Sequence, residues 1–219
     1  MKRWNRGLLL LCSFISFPLQ GLADAEIRGG KNVSAGVGYG FLGGIGMPGI
    51  YGAWHQSSNL QLGLAYSQGS ANLAGSVPSD DTVKIEKLTA SAKLADVQAR
   101  YFFGNSFSVT AGLFYRNIKT AMRLSDPFAI TVDGSTTSTS YGSIFSIGNQ
   151  WQLENGVHFG CDWLGITIPL QGTSSSDVSA SGFSETGKKD QQDIQDKLAK
   201  NFQSASLFTY LTLRVGYSF

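Results

Sequence analysis

The stretch that most constrains this chain is its last, Ser204–Phe219 (SASLFTYLTLRVGYSF). Leu207, Leu211, Leu213, Val215, Tyr217 and Phe219 share one parity, and Phe208, Tyr210, Thr212, Arg214, Gly216 and Ser218 the other. A strand turns successive side chains to opposite faces, so this pattern predicts a strand with one oily, aromatic-tipped face and one that carries a charge. Asn32–Leu42 repeats the period more sharply. Val33, Ala35, Val37, Tyr39 and Phe41 form one face, while Ser34, Gly36, Gly38 and Gly40 form the other. A face that small makes a poor core for a soluble sandwich. It suits a narrow closed barrel whose bulky residues point outward to lipid.

The start of the chain fits export. Lys2, Arg3 and Arg6 precede an apolar run, Gly7–Phe17, and a small-residue exit at Ala23-Asp24-Ala25. This order predicts a secretory signal peptide over residues 1–25 and a mature domain over 26–219. The apolar run is too short for a membrane helix, which needs ~20 such residues. The mature chain keeps one cysteine, Cys161, so it has no internal disulfide framework. A net charge of +2 gives no footprint for nucleic acid. Mean hydropathy near zero argues against a bundle of membrane helices. It is compatible with a barrel, in which outward and inward residues cancel in the average.

Taken in order, the chain predicts about eight antiparallel strands in an up-and-down transmembrane barrel. Gly43–Gly49 reads as a turn. Leu60–Ser67, Leu94–Phe103, Phe107–Arg116, Tyr141–Leu153 and Val157–Ile168 read as strands. In the last of these the apolar set shifts by one residue after Trp163, predicting a bulge near Gly165. Short connections at Ser57–Asn59, Gly104–Ser106 and Glu154–Gly156 alternate with long polar ones at Gly69–Ser91, Lys119–Ser140 and Gln171–Gln203. With the N-terminus in the periplasm, the short set is periplasmic and the long set extracellular. Asp190–Phe202 predicts a short helix, with Ile194, Leu198 and Phe202 recurring every fourth residue and Asp193/Lys197 and Asp196/Lys200 at i,i+4.

By this architecture, and by a last strand that ends on an aromatic, the chain resembles the small bacterial outer-membrane barrels of the OmpA/OmpX/OmpW-like kind. It departs from their closing pattern at Arg214, where a small Gly would stand. The resemblance implies a Gram-negative outer-membrane location, with membrane lipid and lipopolysaccharide as surroundings. It also implies Tyr217 and Phe219 as the signal read by the barrel-assembly machinery. The role it implies is a non-enzymatic envelope protein meeting a ligand or surface partner through its outer loops. The alternative is a narrow OmpW-like conduit for small or hydrophobic molecules, with a lateral exit near the bulge.

The same parity puts Asp96, Arg100, Arg116, Asp162 and Arg214 inside the barrel, with His158 near the periplasmic rim. Buried charges must be paired, and about eight strands leave an interior that side chains fill, so these residues predict an ionic plug. Some barrels of this kind modify lipid A with a His and a Ser or acid at the outer rim. The two histidines, His55 and His158, instead flank short turns at the other end, and His55 reads as an exposed turn residue. One cysteine and two distant histidines build no metal site. No catalytic constellation and no cofactor follow from the sequence.

Overall fold

The computed structural model describes residues 25–72, 84–104, 106–125, 131–180, 192–193, 196–197, 199–201 and 203–219. Of the predicted signal peptide over residues 1–25, residues 1–24 lie outside the described residues. Within them a short helix, α1 (Ala25–Gly29), precedes eight strands: β1 (Val33–Leu42), β2 (Ile45–His55), β3 (Leu60–Asn72), β4 (Lys84–Phe103), β5 (Phe107–Ser125), β6 (Thr131–Gln152), β7 (Val157–Ala180) and β8 (Leu207–Ser218). Each strand pairs antiparallel with its neighbours in the chain, and β1 pairs with β8, so the sheet closes into a barrel. The chain ends fasten the seam. The Asn32 amide donates to the Phe219 carbonyl and the Phe219 amide to that of Val33, both at 2.8 Å.

Connections at one end of the barrel are short. Those at the other end span more of the sequence, from Asn72 to Lys84, Ser125 to Thr131 and Ala180 to Leu207. The β1–β2 turn is the exception at that second end, and it is tighter than the sequence predicts. Gly43 (φ +55°) and Gly44 (φ +89°) alone make it, as a two-residue hairpin with positive φ at both positions requires. The rest of Gly43–Gly49 belongs to β2. Pro48 is tolerated there because β2–β3 pairing begins only at Gly49↔Ser67, leaving its missing N–H without a partner to disappoint.

The polar stretches read as loops are in part wall. β4, β5, β6 and β7 run for 20, 19, 22 and 24 residues, against 10 in β1. Continuous registers join Asn72↔Thr89, Arg123↔Asp133 and Thr136↔Ser176. The described parts of Lys119–Ser140, residues 119–125 and 131–140, and the start of Gln171–Gln203 are therefore strands rising above the β1–β2 hairpin. Ser and Thr on both faces erase the hydrophobic period there, yet Thr suits a pleated backbone.

Besides a register shift at Glu86, near the start of β4, three others break the parity. One falls at Trp163, between the pairs Ile147↔Leu164 and Gly148↔Asp162, rather than at Gly165, and a second at Leu170. The third, in β8, lies between Tyr39↔Leu213 and Phe41↔Tyr210, where Leu211 holds φ +45°. Beyond that bulge Phe208 faces out. Leu207 turns in and packs with the interior apolar cluster, the reverse of its predicted face.

The outer surface is an apolar belt. Val37, Ile50, Leu64, Val97, Leu113, Phe145, Leu213 and Val215 are all exposed on it. Aromatic pairs edge the belt at both ends. At the short-turn end stand Tyr101–Phe103 (4.9 Å between ring centroids), Trp151–Phe159 (5.2 Å) and Tyr217–Phe219 (5.1 Å); at the long-strand end, Tyr39–Phe41 (5.4 Å) and Tyr115–Tyr141 (5.3 Å). Along β5 the belt runs from Phe107 to Tyr115, about 20 Å in height for a strand tilted by ~40°.

Candidate functional site in the barrel interior

Inward-facing side chains fill the lumen in three layers. At the short-turn end β1, β2, β3, β6, β7 and β8 contribute neutral polar groups. His158 is fully buried, with Nε2 at 2.5 Å from the Tyr51 hydroxyl and Nδ1 at 3.0 Å from Ser218 Oγ. Ser218 Oγ donates to Gln152 Oε1 (3.0 Å), and Gln152 Nε2 donates to the Gly156 carbonyl (3.0 Å). A neutral imidazole satisfies this chain: Nδ1–H donates to Ser218 and Nε2 accepts from Tyr51. His55 is not an exposed turn residue. It is 7 % accessible and sits 3.3 Å from Gln61 Nε2, which also donates to Ser34 Oγ (3.2 Å). The strand parity of β2 carries His55 inward, one residue before the turn begins.

Arg28 of α1 closes this end from below. Its Nε donates to the Ser58 carbonyl (3.1 Å) and its Nη2 to the Gly104 carbonyl (3.0 Å), bridging two of the short turns. The guanidinium lies 4.1 Å from the centroid of the buried Phe102 ring. Nothing in the alternation signals this residue, because it precedes the first strand.

The middle layer is ionic. Asp162 on β7 is shared by two arginines. Arg100 Nη2 donates to both of its carboxylate oxygens at 3.0 Å, and Arg214 Nη2 lies 2.6 Å from Oδ2. Arg100 also donates to Gln150 Oε1 (3.3 Å), and Ser146 Oγ of β6 donates to Asp162 Oδ2 (3.5 Å), so β4, β6, β7 and β8 meet at one carboxylate. Asp96 lines a cavity of about 80 Å³ together with Tyr51, Gln98, Asp162 and Arg214, room for a few water molecules, and its buried Oδ1 has no hydrogen-bond partner among the described residues. The layer holds two guanidinium groups and two carboxyl groups, and Arg100 and Arg214 both pair with Asp162.

Arg116 does not join this layer. It lies higher, donating from Nε to Ser140 Oγ (3.1 Å), from Nη1 to Thr167 Oγ1 (3.2 Å) and from Nη2 to the Ala205 carbonyl (2.9 Å). It thereby ties β5, β6 and β7 to the chain entering β8. That chain folds back over the wall. Gln203 Nε2 donates to the Gly172 carbonyl (2.6 Å), and Ser176 hydrogen-bonds Asp196. The described residues among 192–204 are helical up to Ser204, with Ala199 buried, whereas the predicted stripe Ile194, Leu198 and Phe202 lies outside the described residues.

The top layer is apolar, which the sequence reading missed. Leu42, Ile45 and Met47 flank the tight β1–β2 turn and reach across to Ala90, Ala92 and Leu94 of β4, Phe114 and Ile118 of β5 and Ile144 of β6. Its signal was present. Leu42 shares the parity of Ser34–Gly40, so a large apolar side chain ends an otherwise small inward face.

No protein-family model matches the sequence, and no curated protein resembles it. Among solved structures the fold is similar to CarO from Acinetobacter baumannii, an outer-membrane β-barrel protein, at TM-score 0.53 and 12% identity over 86% of this chain and 98% of that one. It is similar also to Acinetobacter baumannii CarO2, at TM-score 0.53 and 14% identity over 86% and 99% of the two chains. At these identities the likeness is one of fold: this chain is a β-barrel of the outer-membrane type.

Proposed function

We propose that the protein is an integral, non-enzymatic barrel of the bacterial outer membrane whose lumen is closed, and which acts through the wall and connections at its long-strand end. The observation that carries this reading is the stack of three sealing layers, which leaves about 80 Å³ as the cavity beside the ionic cluster. In this reading Asp96, Arg100, Asp162 and Arg214 brace the wall from inside, and Arg116 anchors the returning chain. The apolar belt and its aromatic edges support insertion in a bilayer. The exposed Tyr217 and Phe219 on the last strand serve as the assembly signal, and residues 1–25 as the export signal. The buried His158–Ser218 pair is a brace, since both groups are enclosed and their hydrogen bonds are used within the wall.

An OmpW-like conduit is the second reading, and one feature favours it. Gly38, Gly40 and Thr212 line the cavity at the β1–β8 seam, beside the bulge at Leu211. Recording single channels in planar bilayers separates the two. A closed lumen gives no steady conductance at any holding potential. Stable current steps from the wild-type protein would overturn the closed reading and favour the conduit.

A further inference from the structure

The outer surface carries a cationic groove just above the apolar belt, at the long-strand end. It measures about 380 Å³ and is lined by Pro48, Gln68, Ser70, Lys93, Asn117 and Lys119, among others. The register places these residues as a lattice. Gln68 pairs with Lys93 and Lys93 with Asn117; one row higher, Ser70 pairs with Ser91 and Ser91 with Lys119. Lys93 and Lys119 are therefore diagonal neighbours on the outer face of β4 and β5, a spacing of about 7–8 Å that long side chains close readily. Both are exposed, and no Asp or Glu lines the groove among the described residues. The Tyr66 hydroxyl donates to Gln68 Oε1 (3.1 Å), which leaves the amide N–H groups of Gln68 as further donors.

What lies beneath selects the ligand. The next row down is Tyr66↔Ala95↔Tyr115, a notch in the aromatic edge, and below it Leu64↔Val97↔Leu113 belongs to the exposed belt. Cationic groups above an aromatic edge, continuous with an apolar slope, match a molecule that is anionic at one end and hydrocarbon at the other. A free anion would use only the upper half of this surface. We infer that the Lys93–Lys119 groove binds the phosphate of a phosphorylated lipid headgroup in the leaflet around the long-strand end, with its acyl chains on the belt below. This rests on the barrel reading and deepens it by naming a lipid site.

The test is native mass spectrometry of the full chain refolded in detergent and titrated with bis-phosphorylated lipid A, dephosphorylated lipid A or inorganic phosphate. Wild-type protein is expected to retain the phosphorylated lipid. The double variant K93Q/K119Q is expected to bind it roughly thirtyfold more weakly, about fivefold for each lysine near a membrane surface. The control K197Q/K200Q removes the same charge from the helical segment and is expected to change nothing. Dephosphorylated lipid should bind wild type as weakly as phosphorylated lipid binds the double variant, and inorganic phosphate should not compete at equal concentration. Equal retention by wild type and K93Q/K119Q overturns the site, as does efficient competition by inorganic phosphate. Heat-modifiable gel migration of the same samples separates the two levels. A folded barrel with unchanged lipid retention sinks only the site, whereas a chain that never forms the barrel in detergent sinks both.

Discussion

Replacing Asp162 by asparagine is expected to cost the folded barrel about 3–5 kcal/mol, the range for removing one partner of a buried ion pair. The size follows from the sharing. Arg100 and Arg214 both bond the same carboxylate, and the side chains of Arg100, Asp162 and Arg214 are 3, 6 and 14 % accessible. Once the carboxylate is neutral, the two guanidinium groups face one another in a region with little water to screen them. Arg100→Met should cost less than Asp162→Asn, because Arg214 still neutralises the carboxylate. Urea unfolding of the protein in lipid vesicles reads the difference. If the lumen were a water-filled channel, the same pairs would be solvated and the loss would fall below about 1 kcal/mol.

Inward position was readable from the sequence wherever a strand keeps its parity. Asp96 and Arg100 on β4 alternate with Val97, Ala99 and Tyr101, and the structure turns the two sets to opposite sides as the spacing requires. Parity fails at bulges, because one extra residue reverses every face beyond it. Trp163 and Leu211 are such residues, and Leu207 was misplaced for that reason alone. Strand ends were hidden by composition. The run from Thr136 to Ser140 and that from Thr173 to Ser176 have no apolar member, so nothing in them distinguishes a wall exposed to water from a loop. Which charges meet was a further step. The sequence puts Arg116 in the interior with Arg100 and Arg214. Only the stagger between β5 and β7 sets it opposite Thr167 rather than Asp162, and out of the ionic layer. Arg28 carried no periodic signal at all.

The outward belt gives the second large effect. Leu113 is 65 % accessible at mid-belt, and Leu113→Arg is expected to cost about 2–4 kcal/mol when unfolding is followed in phosphocholine vesicles. Ala121 is exposed on the same face of β5, beyond the aromatic edge at Tyr115, and Ala121→Arg is expected to cost no more than about 1 kcal/mol. On a water-facing surface neither substitution would move stability by more than about 0.5 kcal/mol, so the contrast between the two sites reports the surrounding medium. An equal and small effect at both would mean that the belt does not touch hydrocarbon.

In the proposed barrel β5 presents alternate residues to lipid and to a sealed interior. A nitroxide scan tests this directly, with single spin-labelled cysteines placed in turn from Ser108 to Tyr115 in a Cys161→Ser background, in lipid nanodiscs. Collision with oxygen, which partitions into hydrocarbon, should rise at Val109, Ala111, Leu113 and Tyr115 and fall at Ser108, Thr110 and Phe114. Collision with a water-soluble nickel chelate should stay low at every position. High nickel accessibility at Val109, Ala111 and Leu113, or a loss of the two-residue period, would contradict the account.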